Sequence, residues 1–565
     1  MQTPLKLKSE RVGKLILADE NPYLSVFVDT GVFHLDYEFD YLLPSKFDLK
    51  PGQWVSVPFN GRNCLGLIVS RSDKSAQRKV LPINRGVKGP YISPDHLNFY
   101  KKVANRWCVP LFDVLRFVTK YREQSAETES KLGAGKRVYL QLPPDKNEIE
   151  AIRELARKTS KSGPTLLIVP ESRVAREFEN ENFDVSMRAG ALSPKRYMNV
   201  LVLREESEHH YELKSPGFNT RDVVLLRNEI LGENVIFAGY SPSLEMNRLI
   251  QNNYLNFKGN SGKLSINVSP STQGELIPSK LLKPFKEALK TGIVLVVVPT
   301  KGYGLAISCA TCRNIAKCGC GGKLTKQNRN SPPACVICSK QYANWHCAFC
   351  KMNRIYLLGK GIERIAEELG KSFPNTSIHI ATQDKQIQGD VGPKSIVIAT
   401  MGAAPILNYS LAMMFEGLNL GVDLRSEERY LSSLFKYAAF AKGRLSLVER
   451  SEHPAANSLI KWNSLPYLNK LSIELEEVGL PPYMRHLLLA SEDSERIYTG
   501  ILSAIRDGRI PGSTKIYHLN GKTISLYFDI KSSQQVLAFF LEFQRRRSMA
   551  NKPHIKLRID PYLLG

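Results

Sequence analysis

The sequence predicts a multidomain α/β protein, on three observations. Short apolar runs alternate with segments of helical periodicity over residues 138–308, a pattern typical of a parallel sheet covered by helices. A second stretch of this kind follows residue 354, and a cysteine-dense segment separates the two. At 565 residues the chain is also too long for one hydrophobic core, so we expect roughly three to five domains.

The first predicted domain, residues 1–110, is small and β-rich. Its runs YLSVFVDTG and LGLIVSRSD are rich in strand-forming residues, and the stretches KPGQ and FNGRN are typical of hairpin turns. A helical pattern follows over residues 94–120, and residues 121–137 are polar enough to form a linker. We therefore assign residues 111–137 to the end of the helix and the linker.

Two predicted α/β lobes follow, over residues 138–308 and 354–451. The predicted strands of the first lobe are VYLQL, TLLIVP, NVLVL, NVIFAG and GIVLVVVP, and its predicted helices include IEAIRELARK and PSLEMNRLIQ. The second lobe contributes the helix IERIAEELGKSF and the strand SIVIAT. The pattern changes again after residue 451, which predicts a mixed α+β domain over residues 452–565.

Eight of the ten cysteines fall in the segment between the lobes, residues 309–353. They form four close pairs: Cys309 and Cys312, Cys318 and Cys320, Cys335 and Cys338, Cys347 and Cys350. Eight thiolates at this spacing are enough for two closed, structural Cys₄ zinc sites. A disulfide framework is one alternative, but it requires an oxidising compartment. An iron–sulfur cluster is the other.

The chain is strongly basic, with 78 Lys and Arg against 54 Asp and Glu and a net charge of +24. Such an excess favours a polyanionic partner, although a solvated basic surface is the simpler alternative. No apolar run is long enough to cross a bilayer, and the N-terminus lacks the apolar core of a signal peptide. We therefore expect a cytoplasmic protein.

Motifs spread along nearly the whole chain resemble the PriA replication restart helicase family, also called primosomal protein N′. The resemblance depends on the cysteine block followed by LLGKGIERIAEELGKSFPN, and on FDYLLP, VSVPFNGRNCLGLIVSRSD, AGYSPSLE, TKGYG, DLRSEER, GLPPY and RIDPYLL. It implies a β-rich N-terminal DNA-binding domain, two helicase-like parallel lobes, an inserted two-zinc module and a C-terminal DNA-binding domain. It also implies that Arg204 and its neighbours stand at an altered ATPase motif.

The resemblance implies how the cysteines pair. Cys309, Cys312, Cys347 and Cys350 would bind one zinc ion, and Cys318, Cys320, Cys335 and Cys338 would bind the second. The second set departs from the family pattern because only Gly319 separates Cys318 from Cys320.

The resemblance further implies a pocket for the 3′ end of a nascent DNA strand, at Phe39, Asp40, Gly61 and Lys79. Phe39 can stack on a terminal base, and the Asp40 carboxylate can accept a hydrogen bond from a free 3′-hydroxyl group. Lys79 can pair with the adjacent phosphate. The alternative is that Phe39 belongs to the hydrophobic core and Asp40 only caps a turn.

The stretch LVLREES, residues 201–207, stands where the family has a strand that ends in Asp-Glu-Glu-His. In an ATPase the first of these carboxylates holds Mg²⁺ and the second orients water. Here Arg204 repels a divalent cation and Ser207 replaces the histidine. Without a metal, we expect Glu205, Glu206, His209 and His210 to be solvated surface groups.

Two further motifs of the ATPase are altered. The turn PPDKNE after the strand VYLQL has no glycine, so it lacks the backbone donors of a phosphate-binding loop. In YAAFAKGR, only Lys442 and Arg444 offer charge where relatives carry a glutamine and arginines. The sequence therefore predicts no catalytic residues and no ATP hydrolysis.

The resulting hypothesis is a monomeric replication restart protein, cytoplasmic and associated with the nucleoid. It would bind forked and single-stranded DNA at stalled forks and recruit other primosome proteins, without unwinding DNA. The first alternative is an active ATP-dependent 3′→5′ DNA helicase. The second is a zinc-based protein-interaction scaffold with no DNA role, which the net charge of +24 disfavours.

Overall fold

A computed structural model describes residues 16–562, except 78, 122–133, 261, 263, 271–274, 299–305, 329, 337, 359–360, 383, 388–389, 416–423, 449–453 and 520. Most of the predicted linker and the whole TKGYG motif lie outside the described residues. In the described part of the chain, no helix is both long and apolar enough to cross a membrane.

The N-terminal unit is a six-stranded sheet. Its strands are β1 (Tyr23–Val28), β2 (Glu38–Leu42), β3 (Trp54–Phe59), β4 (Arg62–Ser72), β5 (Leu81–Pro82) and β6 (Arg85–Val87). They lie in the order β5-β2-β1-β4-β3-β6, and only the short β2–β5 pair is parallel. Asn60 and Gly61 connect β3 to β4, and their positive φ angles of 44° and 73° suit the tight Asn-Gly turn of a hairpin.

Two helices follow this sheet, α1 (Pro94–Arg106) and α2 (Leu111–Val118). The single helical pattern expected over residues 94–120 is interrupted because Cys108 has φ 53° and Pro110 lies directly before α2. Trp107 and Phe112 are buried in a core that also includes residues of the first α/β sheet and the C-terminal sheet. The N-terminal unit is therefore packed onto the rest of the chain.

The first α/β lobe contains a six-stranded parallel sheet. Its strands are β7 (Arg137–Gln141), β8 (Thr165–Ile168), β9 (Asp184–Ser186), β10 (Asn199–Leu203), β11 (Asn234–Gly239) and β12 (Asn256–Lys258). Its helices are α3 (Glu148–Ser160), α4 (Ser172–Arg176), α5 (Thr220–Leu231) and α6 (Leu244–Gln251). The order is β12-β7-β11-β10-β8-β9, and central β10 is buried along its whole length, as its continuous apolar run predicts.

The second lobe is a parallel sheet interrupted by the cysteine segment. The strands of this sheet are β13 (Ser265–Ser269), β14 (Ile293–Val298), β19 (Ile378–Ala381), β20 (Ile396–Thr400), β21 (Tyr409–Phe415) and β22 (Arg444–Val448). The strands of the insertion are β15 (Ala306–Cys309), β16 (Leu324–Thr325), β17 (Ala334–Cys335) and β18 (Ile355–Leu358). The helices of the lobe are α7 (Ser279–Thr291), α8 (Ile362–Ser372) and α9 (Ser426–Phe440). The sheet order is β13-β22-β21-β14-β20-β19, and β15–β18 form two small antiparallel pairs.

This topology corrects the predicted boundary at residue 308. Strand β14 pairs with β20 and β21, and β13 pairs with β22, so both belong to the second sheet although they precede the cysteines. A continuous apolar run is typical of a buried strand, but the run does not show which sheet the strand joins.

The C-terminal unit is a mixed α+β domain. Its helices are α10 (Pro454–Ile460), α11 (Leu465–Val478), α12 (Ser494–Arg506) and α13 (Ser533–Met549). Its strands are β23 (Met484–Ala490), β24 (Lys515–Leu519), β25 (Thr523–Asp529) and β26 (Lys556–Ile559), in the antiparallel order β24-β25-β23-β26. With the β-rich N-terminal sheet, the two parallel sheets and the clustered cysteines, the predicted fold class is confirmed.

Candidate functional sites

The eight cysteines of the insertion gather into two groups of four. The first cysteine cluster is Cys309, Cys312, Cys347 and Cys350, and the second cysteine cluster is Cys318, Cys320, Cys335 and Cys338. Within each cluster all sulfur atoms lie within 4.8 Å of one another. The closest sulfur pairs are 3.4–3.6 Å apart, near the separation of about 3.8 Å that tetrahedral Zn–S bonds of about 2.3 Å give. Both clusters can hold a metal ion.

The backbone shapes each cluster from tight turns that share one pattern. In the first turn Arg313 N–H donates to Cys309 O at 2.9 Å, and Cys309 N–H donates to Asn314 O at 2.9 Å. The turns that begin at Cys335 and Cys347 repeat these two hydrogen bonds at the same spacing. The residue after the second cysteine has a left-handed φ in all three turns, at Arg313, Ser339 and Lys351.

The shortened pair Cys318–Cys320 forms the same kind of turn with one residue fewer. Gly321 N–H donates to Cys318 O at 2.9 Å, and Cys318 N–H donates to Gly322 O at 2.7 Å. Gly321 takes the left-handed position with φ +86°, which a glycine adopts without steric cost. The missing residue therefore does not prevent Cys318 and Cys320 from facing Cys335 and Cys338.

Local hydrogen bonds favour the metal-binding thiolate form in part of each cluster, whereas contacts with neighbouring thiols raise the pKa values of Cys320 and Cys350. The backbone N–H of Cys312 lowers the pKa of Cys309 to about 6, and the backbone N–H of Cys320 lowers the pKa of Cys318 to about 6. The Tyr342 hydroxyl group also donates to Cys318 Sγ at 3.0 Å. These donors are typical of the support that a metal-binding thiolate receives from its surroundings.

The turn between β7 and α3 leads from a parallel strand into a helix N-terminus, the kind of position at which nucleotide-binding proteins hold phosphates. Asn147 caps α3, since its side-chain oxygen accepts from the N–H groups of Ile149 and Glu150 at 3.0 Å. Glu148, the first residue of α3, is fully buried. The chain's own carboxylate therefore stands at the helix N-terminus, where the helix dipole favours an anion.

Arg204 supplies the positive partner of this carboxylate. Its Nε lies 2.9 Å from Glu148 Oε2, and its Nη2 lies 3.4 Å from Glu171 Oε1. Lys436 of α9 approaches Glu148 from the second lobe, with Nζ 4.0 Å from Oε1. Arg204 is buried, and its backbone has a left-handed φ of 52°. The residue that was expected to repel Mg²⁺ is therefore part of an internal ion-pair network.

The expectation that Glu205 is a solvated surface group is wrong. Its side chain is buried and accepts hydrogen bonds from Ser243 N–H at 2.8 Å and Ser243 Oγ at 2.9 Å. Burial raises the pKa of Glu205 to about 7, and the nearby Arg221 guanidinium opposes this shift. The Glu205 carboxylate therefore binds Ser243, the residue that caps α6, and does not face solvent.

The same expectation is wrong for two of its neighbours. Glu206 is half-buried and accepts from Ser432 Oγ of the second lobe at 2.9 Å. His210 is fully buried, with Nε2 2.8 Å from Leu203 O, and burial lowers its pKa to about 4. His209 is exposed, as expected. The sequence did not reveal the environment of Glu206 because its partner Ser432 lies 226 positions farther along the chain.

Ion pairs and hydrogen bonds join the two lobes around a cleft of about 600 Å³. Glu428 accepts from Leu244 N–H at 3.1 Å, and Arg425 pairs with Glu245. Lys442 and Arg444 are exposed and lie outside the lining of this cleft, whereas Lys436 lines it. Sequence reasoning missed Lys436 and Glu148. An N-cap Asn147 followed directly by an acidic residue, in place of glycines, was the available signal for Glu148.

The four predicted DNA-binding residues lie in the N-terminal unit, on and near three of its strands. Phe39 and Asp40 are in β2, Gly61 is at the exposed tip of the β3–β4 hairpin, and Lys79 is exposed two residues before β5. The Phe39 ring contacts Phe59, which directly precedes the hairpin turn, at a centroid distance of 5.1 Å. The segment before β5 approaches Asp40 through Ser75, whose hydroxyl group donates to the Asp40 carboxylate.

The burial of Phe39 and Asp40 is intermediate between that of an open DNA-binding pocket and that of a core residue with a turn cap. Phe39 is half-buried and packs against the core of the N-terminal sheet, while Asp40 is half-buried and bound to Ser75. Tyr37, which is 49% exposed, lies against Phe39 at a centroid distance of 4.5 Å. Sequence reasoning missed Tyr37, although its position two residues before Phe39 places both side chains on one face of an extended chain.

Comparison with known proteins gives consistent matches. Residues 25–120 match the PriA domain family described as "3'DNA-binding domain (3'BD)". The "Probable replication restart protein PriA" of Mycobacterium tuberculosis is 26% identical over 84% of this chain and 87% of its own length. The protein of that name from Mycobacterium leprae is 24% identical over 80% and 85%. The Haemophilus influenzae "Replication restart protein PriA" is 23% identical over 54% and 47%.

The family match lies in the N-terminal unit, and the match to the Mycobacterium tuberculosis protein covers enough of the chain to include both parallel sheets and the cysteine segment. The N-terminal sheet, the two parallel sheets with the cysteine insertion and the C-terminal domain follow one another in the order that the family resemblance implies. Over most of its length the chain is therefore similar to replication restart proteins named PriA, and its N-terminal unit matches their 3′ DNA-binding domain.

Proposed function

We propose that this chain is a replication restart protein that binds forked DNA at stalled replication forks and helps to reload the replication machinery without ATP-driven unwinding. The observation that carries the proposal is the match of residues 25–120 to the 3'DNA-binding domain family. The protein would act as a cytoplasmic monomer on the chromosome and recruit other primosome proteins.

The edge of β2 supports a contact with a 3′ end. Strand β5 pairs only with Tyr41 and Leu42, so among the described residues no strand covers β2 beside Phe39 and Asp40. A terminal nucleotide at this edge can place its base against the Phe39 ring and its hydroxyl group near the Asp40 carboxylate, on opposite faces of the strand. Lys79 is exposed close to this edge and can pair with the next phosphate.

We propose zinc as the metal of both cysteine clusters. Four thiolates in a closed shell suit a structural zinc ion, which requires no further ligand. The eight donor sulfurs fit such an ion, as do the N–H groups that lower the pKa values of Cys309 and Cys318. When bound, zinc would link the turns of each cluster and hold the insertion in one conformation.

The proposal that ATP is not hydrolysed has support from charge and geometry. Phosphoryl transfer depends on Mg²⁺ and on donors placed around the transferred phosphate. In this chain the buried Glu148 carboxylate would repel a phosphate at the start of α3, and Arg204 would repel a divalent cation. The retained lobes would then serve as a scaffold between the N-terminal and C-terminal units.

The C-terminal domain, residues 452–565, is proposed to add contacts with DNA phosphates. Near its C-terminus helix α13 carries Arg545, Arg546 and Arg547, and the Arg545 and Arg546 side chains are more than half exposed. Exposed guanidinium groups at a helix end can pair with phosphates without reading the base sequence.

Equilibrium binding to a fork and to a linear duplex of equal length, at several salt concentrations with and without Mg-ATP, tests the proposal. We expect tighter binding to the fork, a steep decrease with salt, and no strand separation on addition of ATP. ATP-dependent strand separation would instead favour an active helicase. The absence of binding to either DNA would favour a protein-interaction scaffold.

A further inference from the structure

The cysteine module, defined as residues 306–358, has an unusual charge. It contains eight Lys and Arg residues and no Asp or Glu, and the acid-free run extends from residue 288 to residue 362. Even with eight thiolates and two divalent ions, whose combined charge is −4, the basic side chains leave the module at +4. A surface of this kind attracts polyanions.

The module also exposes an aromatic ring. Phe349 is 79% exposed, the highest value among the large hydrophobic residues that the structure describes. It lies between Cys347 and Cys350, on a turn that the first cysteine cluster fixes. A single exposed hydrophobic residue is ordinary, but a rigidly held ring on a surface without acidic groups is suited to base stacking.

Basic side chains surround the same cluster. Arg313 follows Cys312 on the facing turn and stacks on Tyr356, with the guanidinium carbon 4.3 Å from the ring centroid. The two turns lie side by side, with the Sγ atoms of Cys309 and Cys350 3.4 Å apart. A hydrogen bond from Ala310 N–H to Arg354 O, at 2.9 Å, joins them. Exposed Arg313 and Arg354 therefore lie on the cluster that carries Phe349.

We infer that the cysteine module is a second DNA contact, which binds an internal stretch of single-stranded DNA by stacking a base on Phe349 and pairing its phosphates with neighbouring Arg and Lys residues. This inference rests on the proposed DNA-binding function and places a contact outside the N-terminal domain. Single-stranded DNA fits the surface because its bases are free to stack, whereas those of a duplex are paired.

Circular single-stranded DNA provides the test, because it has no 3′ end for the N-terminal edge to bind. Full-length protein and the variants Phe349→Ala, Phe349→Leu and Phe349→Trp are compared at one salt concentration. Stacking predicts at least about fivefold weaker binding for Ala and Leu and near-normal binding for Trp. Arg354→Gln should lower the slope of log affinity against log salt by about 0.7.

Ile473→Ala is the matched control, since Ile473 is 57% exposed on α11 beside acidic residues. It should bind as the unaltered protein does, and every variant must retain its metal content. Equal affinity of the unaltered protein and Phe349→Ala would overturn the inference and leave Phe349 as a contact for a protein partner. Equal losses for Ala, Leu and Trp would also overturn it, because stacking would then not be the cause. If the unaltered protein binds neither circular DNA nor forks, the proposed function itself fails.

Discussion

The Arg204 guanidinium and the Glu148 carboxylate form a buried ion pair at the carboxyl end of the first parallel sheet, with Nε 2.9 Å from Oε2. The two residues are 56 positions apart, and the end of β10 and the start of α3 bring them together. In an ATPase, this end of the sheet holds Mg²⁺ and phosphate. In this chain an internal cation and an internal anion stand in those places.

Removal of the cation should therefore destabilise the fold. Arg204→Gln leaves Glu148 buried beside Lys436 alone, 4.0 Å away, so we expect a loss of about 3–5 kcal/mol in the free energy of unfolding. Urea unfolding followed by tryptophan fluorescence measures it. Arg509→Gln is the control, because its pair with Asp507 is more than half exposed and should contribute less than about 1 kcal/mol. Equal losses for both variants would contradict the buried network.

Glu205 should make stability depend on pH. Its pKa is about 7 in the folded protein and about 4.3 in an unfolded chain, so the folded state binds this proton more tightly. Its ionisation therefore costs stability as pH rises from about 4.3 to about 7, by at most about 1.4 kcal/mol per pH unit, and no more above pH 7. The unaltered protein should lose stability relative to Glu205→Gln across this window. Parallel curves from urea unfolding at pH 5, 6, 7 and 8 would show that Glu205 is ionised throughout.

The second cysteine cluster should depend on Gly321. An alanine at φ +86° costs about 1–2 kcal/mol, so Gly321→Ala should lower metal occupancy from two ions per chain toward one. Gly319→Ala is the matched control, because Gly319 is not in the left-handed region and no atom lies within 4 Å of an added Cβ. Elemental analysis and chelator competition measure occupancy. Two ions held equally tightly in Gly321→Ala would refute the role of this turn.

Asp40 should distinguish the chemistry of the DNA end. A carboxylate accepts from a 3′-hydroxyl group and repels a 3′-phosphate, so forks that end in 3′-OH should bind about tenfold more tightly or better. Asp40→Ala should erase most of this preference, while Asp48→Ala, which removes an exposed carboxylate of the same domain, should keep it. Equal affinity of the unaltered protein for both ends, at one salt concentration, would mean that this edge does not bind the 3′ end.

The extent to which sequence predicts this protein differs between its parts. The strands NVLVL and NVIFAG were predictable because continuous apolar runs are typical of buried parallel strands, and they form β10 and β11 as expected. That the cysteines could form two sites followed from their spacing, whereas the pairs that share each site followed from the family resemblance. The assignment of β14 to the second sheet was not predictable, since pairing with β20 and β21 depends on residues about a hundred positions later.

The burial of Glu205 and His210 was unpredictable for a related reason. Local polarity suggested an exposed turn after β10. The hydrogen bonds that Ser243 donates to Glu205, and the one that Thr220 donates to the His210 carbonyl group, come from residues farther along the sequence. Arg204 was recognised as a loss of metal binding, but its partner Glu148 becomes evident only when α3 and β10 meet.

Multiple-turnover phosphate release from ATP, measured with saturating forked DNA that the protein is shown to bind, tests the central claim most directly. The claim is that a fork-binding protein similar to the PriA replication restart proteins has an internal ion pair in place of the charges of a nucleotide site. We predict no release above the rate without DNA, and the same result for Arg204→Gln, since Glu148 still occupies the start of α3. Phosphate release by the unaltered protein that increases with the concentration of forked DNA would contradict the claim.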